Sequence, residues 1–118
     1  MSEQRFDPKK LGADGEAAVA RWYIERGFTV LERNWRCSSG ELDLILCKGH
    51  DVVICEVKTR SSDRYGSPFD AVGPAKQRKL RQLAAQWLRD AAPFRPTGLR
   101  FDVAGVVSRR ITVIESAL

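Results

Sequence analysis

The sequence is poor in the side chains that most metal and nucleophilic sites use. His50 is its only histidine and falls in a polar turn, so a Ser-His triad or a multi-histidine metal site has little to work with. Cys37, Cys47 and Cys55 match neither a C-x-x-C pair nor a zinc-ligand set, and their odd number argues against a disulfide framework. We interpret the cysteines as reduced packing residues. Any acid–base or metal chemistry must come from carboxylates and lysine.

Long apolar runs are also missing. The run from Leu42 to Cys47 is interrupted by Asp43, and no other run approaches the roughly 18 residues that a membrane span needs. The first ten residues lack the apolar stretch of a secretory signal. The sequence therefore predicts a cytoplasmic protein with no membrane association.

What is present is the composition of one globular domain. With 118 residues, of which 43% are hydrophobic and 30% charged, we expect a single domain over residues 1–118. The net charge is +5, and the segment 58–100 alone contains ten basic and three acidic residues. This uneven charge is typical of a nucleic-acid-binding surface, although a solvated helix face explains it equally well.

Hydrophobic periodicity predicts an α/β protein with the element order α-β-β-β-α-β-β. Apolar stripes predict one helix over 14–26 and a second that begins at Pro74, while 61–73 has the composition of a long loop. Alternating or β-branched segments predict strands over 28–35, 41–47, 52–60, 99–107 and 111–115.

The second and third strands form a hairpin around Gly49 and His50. If Lys48 pairs with Asp51, the numbers of opposed residues sum to 99, so Asp43 faces Glu56 and Glu41 faces Lys58. All four side chains then project from one face, with Leu42, Leu44, Cys55 and Val57 on the other. Two alternatives stay open: a Glu41–Lys58 surface ion pair, or a bulge that shifts the register by one.

Two opposed carboxylates need a compensating cation or a shared proton. Mg²⁺ fits, because it takes oxygen ligands and is held by one or two carboxylates. Lys58 lies two residues beyond Glu56 on the same strand, where it can orient a water or neutralise charge on a phosphate. Glu16 shares a helical stripe with Val19 and is expected to tilt inward, although a carboxylate there is also favoured by the helix dipole.

These residues resemble a known signature. Gly40-Glu41-Leu42-Asp43-Leu44-Ile45 and Glu56-Val57-Lys58-Thr59-Arg60, in which twelve residues separate Asp43 from Glu56, are similar to the D…E-x-K motif of restriction-endonuclease-like nucleases and Holliday-junction resolvases. Together with Gly15-Glu16, Asn34-Trp35-Arg36, Lys76 and Arg100-Phe101-Asp102, it resembles the YraN-like family of small, uncharacterised predicted nucleases. The resemblance covers nearly the whole chain.

The resemblance implies a restriction-endonuclease-like α-β-β-β-α-β core with a mixed sheet flanked by helices. It also implies that Asp43 and Glu56 are metal ligands for Mg²⁺ or Mn²⁺, Lys58 the catalytic lysine and Glu16 an accessory acid. Basic residues of the loop and second helix would hold the substrate backbone: Arg60, Arg64, Lys76, Arg78 and Lys79.

The leading hypothesis is a metal-dependent endonuclease that acts on DNA, with branched or non-duplex DNA as its substrate. Its alternative is a non-catalytic nucleic-acid-binding protein or a scaffold in DNA processing. Branched substrates favour a twofold homodimer. The sequence leaves open the choice between DNA and RNA, the number of metal ions, and whether Arg100 and Asp102 face the site or form a structural ion pair.

Overall fold

A computed structural model describes residues 7–61, 70 and 72–118, and all statements below concern those residues. The element order is the expected α-β-β-β-α-β-β. The helices and strands have the following bounds: α1 Pro8–Glu25, β1 Thr29–Cys37, β2 Gly40–Lys48, β3 Asp51–Arg60, α2 Pro74–Asp90, β4 Gly98–Val107 and β5 Arg110–Ile114.

The first helix begins six residues earlier than its apolar stripe indicated. Asp7 has an extended backbone, and its side chain accepts hydrogen bonds from the amides of Lys9 and Lys10. Pro8 follows at the first helical position, where its fixed φ suits a helix and its missing N–H is not needed. The cap and the proline therefore extend α1 across a polar first turn that contributes nothing to the core.

The five strands form one mixed sheet in the order β1-β2-β3-β4-β5. All neighbours are antiparallel except β3 and β4, which run parallel in register from Asp51–Gly98 to Arg60–Val107. The connection between these two strands contains α2. The structure thus confirms the α/β class and the mixed sheet flanked by helices.

The two helices cover opposite faces of the sheet. Ile54 and its neighbours on one face pack with Trp87 and Leu83 of α2, whereas Cys55 and its neighbours on the other pack with Val19 and Tyr23 of α1. Because adjacent strand residues alternate between the faces, β3 is buried on both sides, as expected of a strand with a parallel neighbour.

Gly15 lets α1 lie unusually close to β3. A Cβ at this position would collide with Oγ1 of Thr59, a β-branched side chain with little freedom to move away. The glycine is buried, and Glu16 follows it in the chain. Close packing at Gly15 therefore brings Glu16 to the end of β3 that contains Glu56 and Lys58.

The cysteines and the histidine have the structural roles expected of them. Cys37, Cys47 and Cys55 are free thiols, and His50 lies in the β2–β3 turn with its ring 4.9 Å from that of Phe94. Burial raises the pKa of the Cys55 thiol, so this side chain stays protonated. In the described part of the chain, neither helix is long and apolar enough to cross a bilayer.

Candidate active site

The site lies where β2 separates from β3. Their pairing follows the expected register from Lys48–Asp51 to Leu44–Cys55 and stops there. Beyond this point Asp43 Oδ2 accepts a hydrogen bond from the Val57 amide at 2.9 Å, in place of a strand-to-strand bond. The hairpin register is therefore confirmed, and its extension to directly opposed Asp43–Glu56 and Glu41–Lys58 pairs is wrong.

A change of face in β2 accompanies the separation. Leu42 packs in the core beneath α2 and Leu44 in the core beneath α1, so the prediction that they share a face is wrong. Their partners on β1 are Trp35 and Arg33, and between those two lies Asn34 with a φ of 51°. A left-handed residue interrupts the regular alternation of a strand, and Asn adopts this conformation more readily than most residues.

Three carboxylates from three elements approach one another here. Desolvation, followed by the charge of Glu56, raises the pKa of Asp43 to about 7, although the Val57 amide opposes the shift. Desolvation also raises the pKa of Glu16, with further contributions from the charges of Glu41 and Glu56, whereas a hydrogen bond with Asn34 lowers it. Glu56 itself is 5% exposed. Negative charge is therefore in excess at a poorly hydrated position.

Two lysines balance part of this charge. Lys76 Nζ of α2 lies 3.3 Å from Glu56 Oε1, and Lys58 Nζ lies 3.7 Å from the same oxygen. Both amines remain partly exposed, with 39% and 29% of their side chains accessible, whereas the carboxylate they share is buried. The cations thus stand between the buried acid and solvent, where an incoming anion would meet them.

The lysine-bearing end of β3 borders an open cavity of about 430 Å³. Its lining includes Glu16 and Lys58, together with Val57, Thr59 and Arg60. The cavity is large enough for a phosphate group with several waters. A carboxylate and an amine that line the same cavity can act on a single bound water or phosphate.

The remaining predicted substrate contacts are distributed differently. Arg60 ends β3 at the cavity, and Lys79 of α2 approaches Gly40, with its Cε 3.6 Å from where a Cβ of that residue would lie. Arg78 is exposed on α2. Arg64 lies outside the described residues. The structure therefore places Lys76 in contact with Glu56 and Arg60 in the lining of the cavity that Glu16 shares, with Lys79 beside the start of β2.

Arg100 and Asp102 form a structural ion pair away from the site. Asp102 is 1% exposed and accepts hydrogen bonds from Tyr23 Oη at 2.6 Å, from Arg100 Nε at 3.0 Å and from the Ser116 amide at 3.0 Å. It thereby ties α1 and the chain after β5 to β4. Glu41 pairs with Arg36, whose Nε lies 3.0 Å from its carboxylate, while its charge contributes to the raised pKa of Glu16.

The contacts of two residues, Asn34 and Lys76, were not recognised from the sequence, although both belong to the family resemblance. Asn34 binds the Glu16 carboxyl, and Lys76 contacts the metal-ligand candidate Glu56 instead of serving only the substrate backbone. The available signals were an asparagine within an extended segment and a lysine in the first turn of α2. Neither signal specifies a partner, because both contacts join elements that are distant in sequence.

The donor set suits a hard divalent cation. Asp43 and Glu56 supply carboxylate oxygens, which Mg²⁺ and Mn²⁺ prefer, and the excess negative charge that raises the pKa of Asp43 would be relieved by such an ion. Within residues 7–61, 70 and 72–118, no group of three or more His, Cys, Asp or Glu side chains is arranged to hold a metal. Two carboxylates are nevertheless enough when water and a substrate phosphate complete the shell.

Comparisons with known proteins agree on one group of relatives. The model of "Uncharacterised protein family UPF0102" matches residues 15–106. A UPF0102 protein of a Nocardioides species is 48% identical over 100 residues, covering 85% of this chain and 80% of its own length. One from Frankia alni is 50% identical over 99 residues, covering 84% of this chain and 81% of its own length. One from Bifidobacterium longum subsp. infantis is 44% identical over 111 residues, covering 92% of this chain and 90% of its own length.

Proposed function

The chain belongs to the uncharacterised protein family UPF0102, which confirms its resemblance to the YraN-like family, and from its site we propose that it is a metal-dependent endonuclease. The proposed reaction is hydrolysis of phosphodiester bonds in DNA, with branched or non-duplex DNA as substrate. The observation that carries the proposal is the crowding of Glu16, Asp43 and Glu56 beside two lysines, Lys58 and Lys76. Glu16 and Lys58 of this group line an open cavity.

This crowding favours a functional origin over a structural one. A surface carboxylate gains nothing from a second and a third acid at its side, because like charges oppose one another and the lysines compensate only Glu56 by direct contact. A site that hydrolyses phosphodiesters needs both signs of charge: anions to hold a metal and cations to meet the phosphate.

Each residue has a role that its position supports. Asp43 and Glu56 would hold Mg²⁺ or Mn²⁺, which supplies Lewis-acid stabilisation of charge on the phosphate when bound. Lys58, partly exposed in the cavity, would bind a non-bridging phosphate oxygen and orient the attacking water. Glu16, whose pKa is raised and which hydrogen-bonds with Asn34, would accept the proton of that water. The water oxygen joins phosphorus as a P–O bond to one ester oxygen breaks, and the departing oxygen takes a proton from solvent water, so that a phosphate and a hydroxyl are left.

The test is cleavage of labelled duplex, single-stranded, flap and four-way-junction DNA with Mg²⁺, Mn²⁺ or EDTA. We expect metal-dependent cleavage by the wild type and none by Lys58→Ala, with DNA affinity within about tenfold of wild type, because one phosphate contact is a small share of the whole surface. Lys48→Ala is the matched control, since Lys48 is the last residue of β2, where the strand meets the β2–β3 turn, and does not line the cavity. Equal activity of the two variants would exclude Lys58 from catalysis.

A non-catalytic nucleic-acid-binding protein or scaffold in DNA processing is the second candidate. It is favoured by the two lysine contacts to Glu56, which satisfy this carboxylate without a metal. DNA binding with no cleavage of any substrate in the panel would support it. Calorimetry with Mg²⁺ or Mn²⁺ separates the candidates independently, because the endonuclease predicts metal binding by wild type that Asp43→Ala abolishes.

A further inference from the structure

A larger groove runs beside α1 and opens into the candidate active site. Its volume is about 760 Å³, and its walls are α1, the end of β3 and the β4–β5 hairpin. Leu11, Thr59, Arg60 and Ser61 line both this groove and the cavity that contains Lys58. A polymer bound along α1 would therefore continue directly to the proposed reacting groups.

Both cations and apolar side chains line this α1 groove. The cations are Arg21 of α1, Arg60 of β3 and Arg109 of the β4–β5 turn. Of the acidic residues that line it, Asp14 is paired with Lys10 at 3.0 Å, and Glu25 lies in the last turn of α1, far along the chain from the Gly15 end. Among the described residues, the lining therefore holds three arginines against two acids, of which Asp14 is already paired, so its net charge favours an anion.

Trp22 supplies an aromatic wall. Its indole is half-buried, lines the groove, and carries the Arg26 guanidinium 3.7 Å from the ring centroid. Apolar groups from Ala18 and Ile111 extend the same lining. A groove that bound only the phosphate backbone of a duplex would not need apolar walls, because the bases of a duplex are stacked inside it. Unpaired bases expose flat apolar faces that stack on aromatic and guanidinium groups.

The hairpin turn that contains Arg109 has backbone angles that residues other than glycine rarely adopt. Ser108 and Arg109, the two residues between β4 and β5, have φ values of 48° and 68°. Two-residue hairpins of this geometry favour Asn-Gly, since glycine adopts a positive φ without steric conflict. Arg109 thus occupies a position that glycine fits better, and its side chain lines the groove.

We propose that the α1 groove binds a single-stranded segment of nucleic acid and leads it to the active site. The inference rests on the proposed function and narrows its substrate class to DNA that has an unpaired strand, such as a flap or the opened arm of a junction. Arg21, Arg60 and Arg109 would contact successive phosphates, while bases stack against Trp22. The size of the groove limits this contact to a few nucleotides.

The test measures binding in EDTA, so that it does not depend on cleavage. Fluorescence anisotropy would follow a labelled single strand of about ten nucleotides and a blunt duplex of the same sequence. For the double variant Arg21→Ala/Arg109→Ala we expect single-strand affinity to fall at least about tenfold. The dependence of log affinity on log salt should become shallower by about 1.4, because each of the two lost phosphate contacts contributes roughly 0.7. Duplex affinity should change by less than about threefold.

The matched control is Arg89→Ala/Arg95→Ala. It removes the same charge from exposed positions that line a different surface depression near the end of α2. Arg109→Gly is a second test variant, because it removes the cation while suiting the positive φ of the turn, so weaker binding cannot be attributed to misfolding. It should lower single-strand affinity severalfold, whereas the control pair should not.

Three results would overturn the groove proposal. They are unchanged single-strand affinity in both test variants, an equal loss in the control pair, and an equal loss for the duplex. Each of these leaves the endonuclease proposal intact, because that proposal depends on cleavage and on Lys58. The absence of metal-dependent cleavage with single-strand binding retained would instead refute the endonuclease and keep the groove as a binding site.

Discussion

Replacing Asp43 with asparagine should stabilise the metal-free protein, and the gain should depend on pH. The new amide keeps the shape of the side chain and an oxygen that can accept the Val57 amide hydrogen, but it removes a charge that desolvation and Glu56 disfavour. The substitution therefore isolates electrostatic repulsion from packing. If the Asp43 carboxylate served only as a hydrogen-bond acceptor and its charge met no repulsion, the substitution would leave the free energy of unfolding unchanged.

The magnitude follows from the pKa of Asp43. It rises from 3.8 to about 7 on folding, and the difference corresponds to on the order of 4 kcal/mol of lost stability once the group is ionised in both states. Because the folded-state pKa is the higher one, the folded protein binds the extra proton between these values, and wild-type stability falls as pH rises from about 4 to about 7. Solvent screening of a partly exposed carboxylate reduces the effect, so we expect about 2–4 kcal/mol above pH 7 and none below pH 4.

Urea unfolding in EDTA at several pH values between 4 and 8 measures this difference. The stability of Asp43→Asn relative to wild type should increase across that range, and Asp90→Asn, an exposed carboxylate at the end of α2, should show no comparable increase. Added Mg²⁺ should stabilise wild type by mass action, by about 2.7 kcal/mol at a hundred times its dissociation constant, and the variant much less. A variant less stable than wild type at pH 8 in EDTA would refute the reasoning.

Three other changes test the packing and the surface around the site. Gly15→Ala should lower the free energy of unfolding by about 1–3 kcal/mol, because its Cβ meets Thr59 Oγ1, and Thr59→Ala in the same chain should restore part of the loss in urea denaturation. Tyr23→Phe should cost about 1.5–3 kcal/mol in the same assay, since it removes a buried 2.6 Å hydrogen bond to a charged carboxylate. If α2 also contacts DNA, a triple alanine variant should bind more weakly, with a shallower dependence on log salt, and an unchanged slope would exclude this surface; the changed residues are Lys76, Arg78 and Lys79.

The predictable parts of the fold were those set by local pattern. The turn at Gly49 and His50 fixes the β2–β3 register, which the structure confirms through Leu44–Cys55. The apolar stripe correctly predicts a second helix that begins at Pro74. Both features depend on residues close in sequence, so periodicity and loop length are sufficient to specify them.

The parts that escaped prediction depend on contacts between distant elements. The separation of β2 from β3 is accompanied by a left-handed conformation of Asn34 on a third strand, β1. No sequence pattern within the hairpin predicts it. The Lys76–Glu56 contact requires the placement of α2 on the sheet, which the sequence does not specify. The expectation that Asp43 lies near Glu56 came from a strand pairing that is absent, although the two side chains do interact.

The separation of the strands explains how the fold tolerates the site. Past Cys55, β3 has lost β2 as a paired neighbour, but its parallel pairing with β4 continues to Arg60. Glu56 and Lys58 are therefore held by β4, while one hydrogen bond from the Val57 amide positions Asp43. The backbone needs an acceptor at residue 43 and has no need of a negative charge there, since an asparagine would meet the same requirement without repulsion. A chain that keeps the less stable carboxylate is best explained by a task for the charge itself, because proteins depart from their stability optimum most often at functional positions.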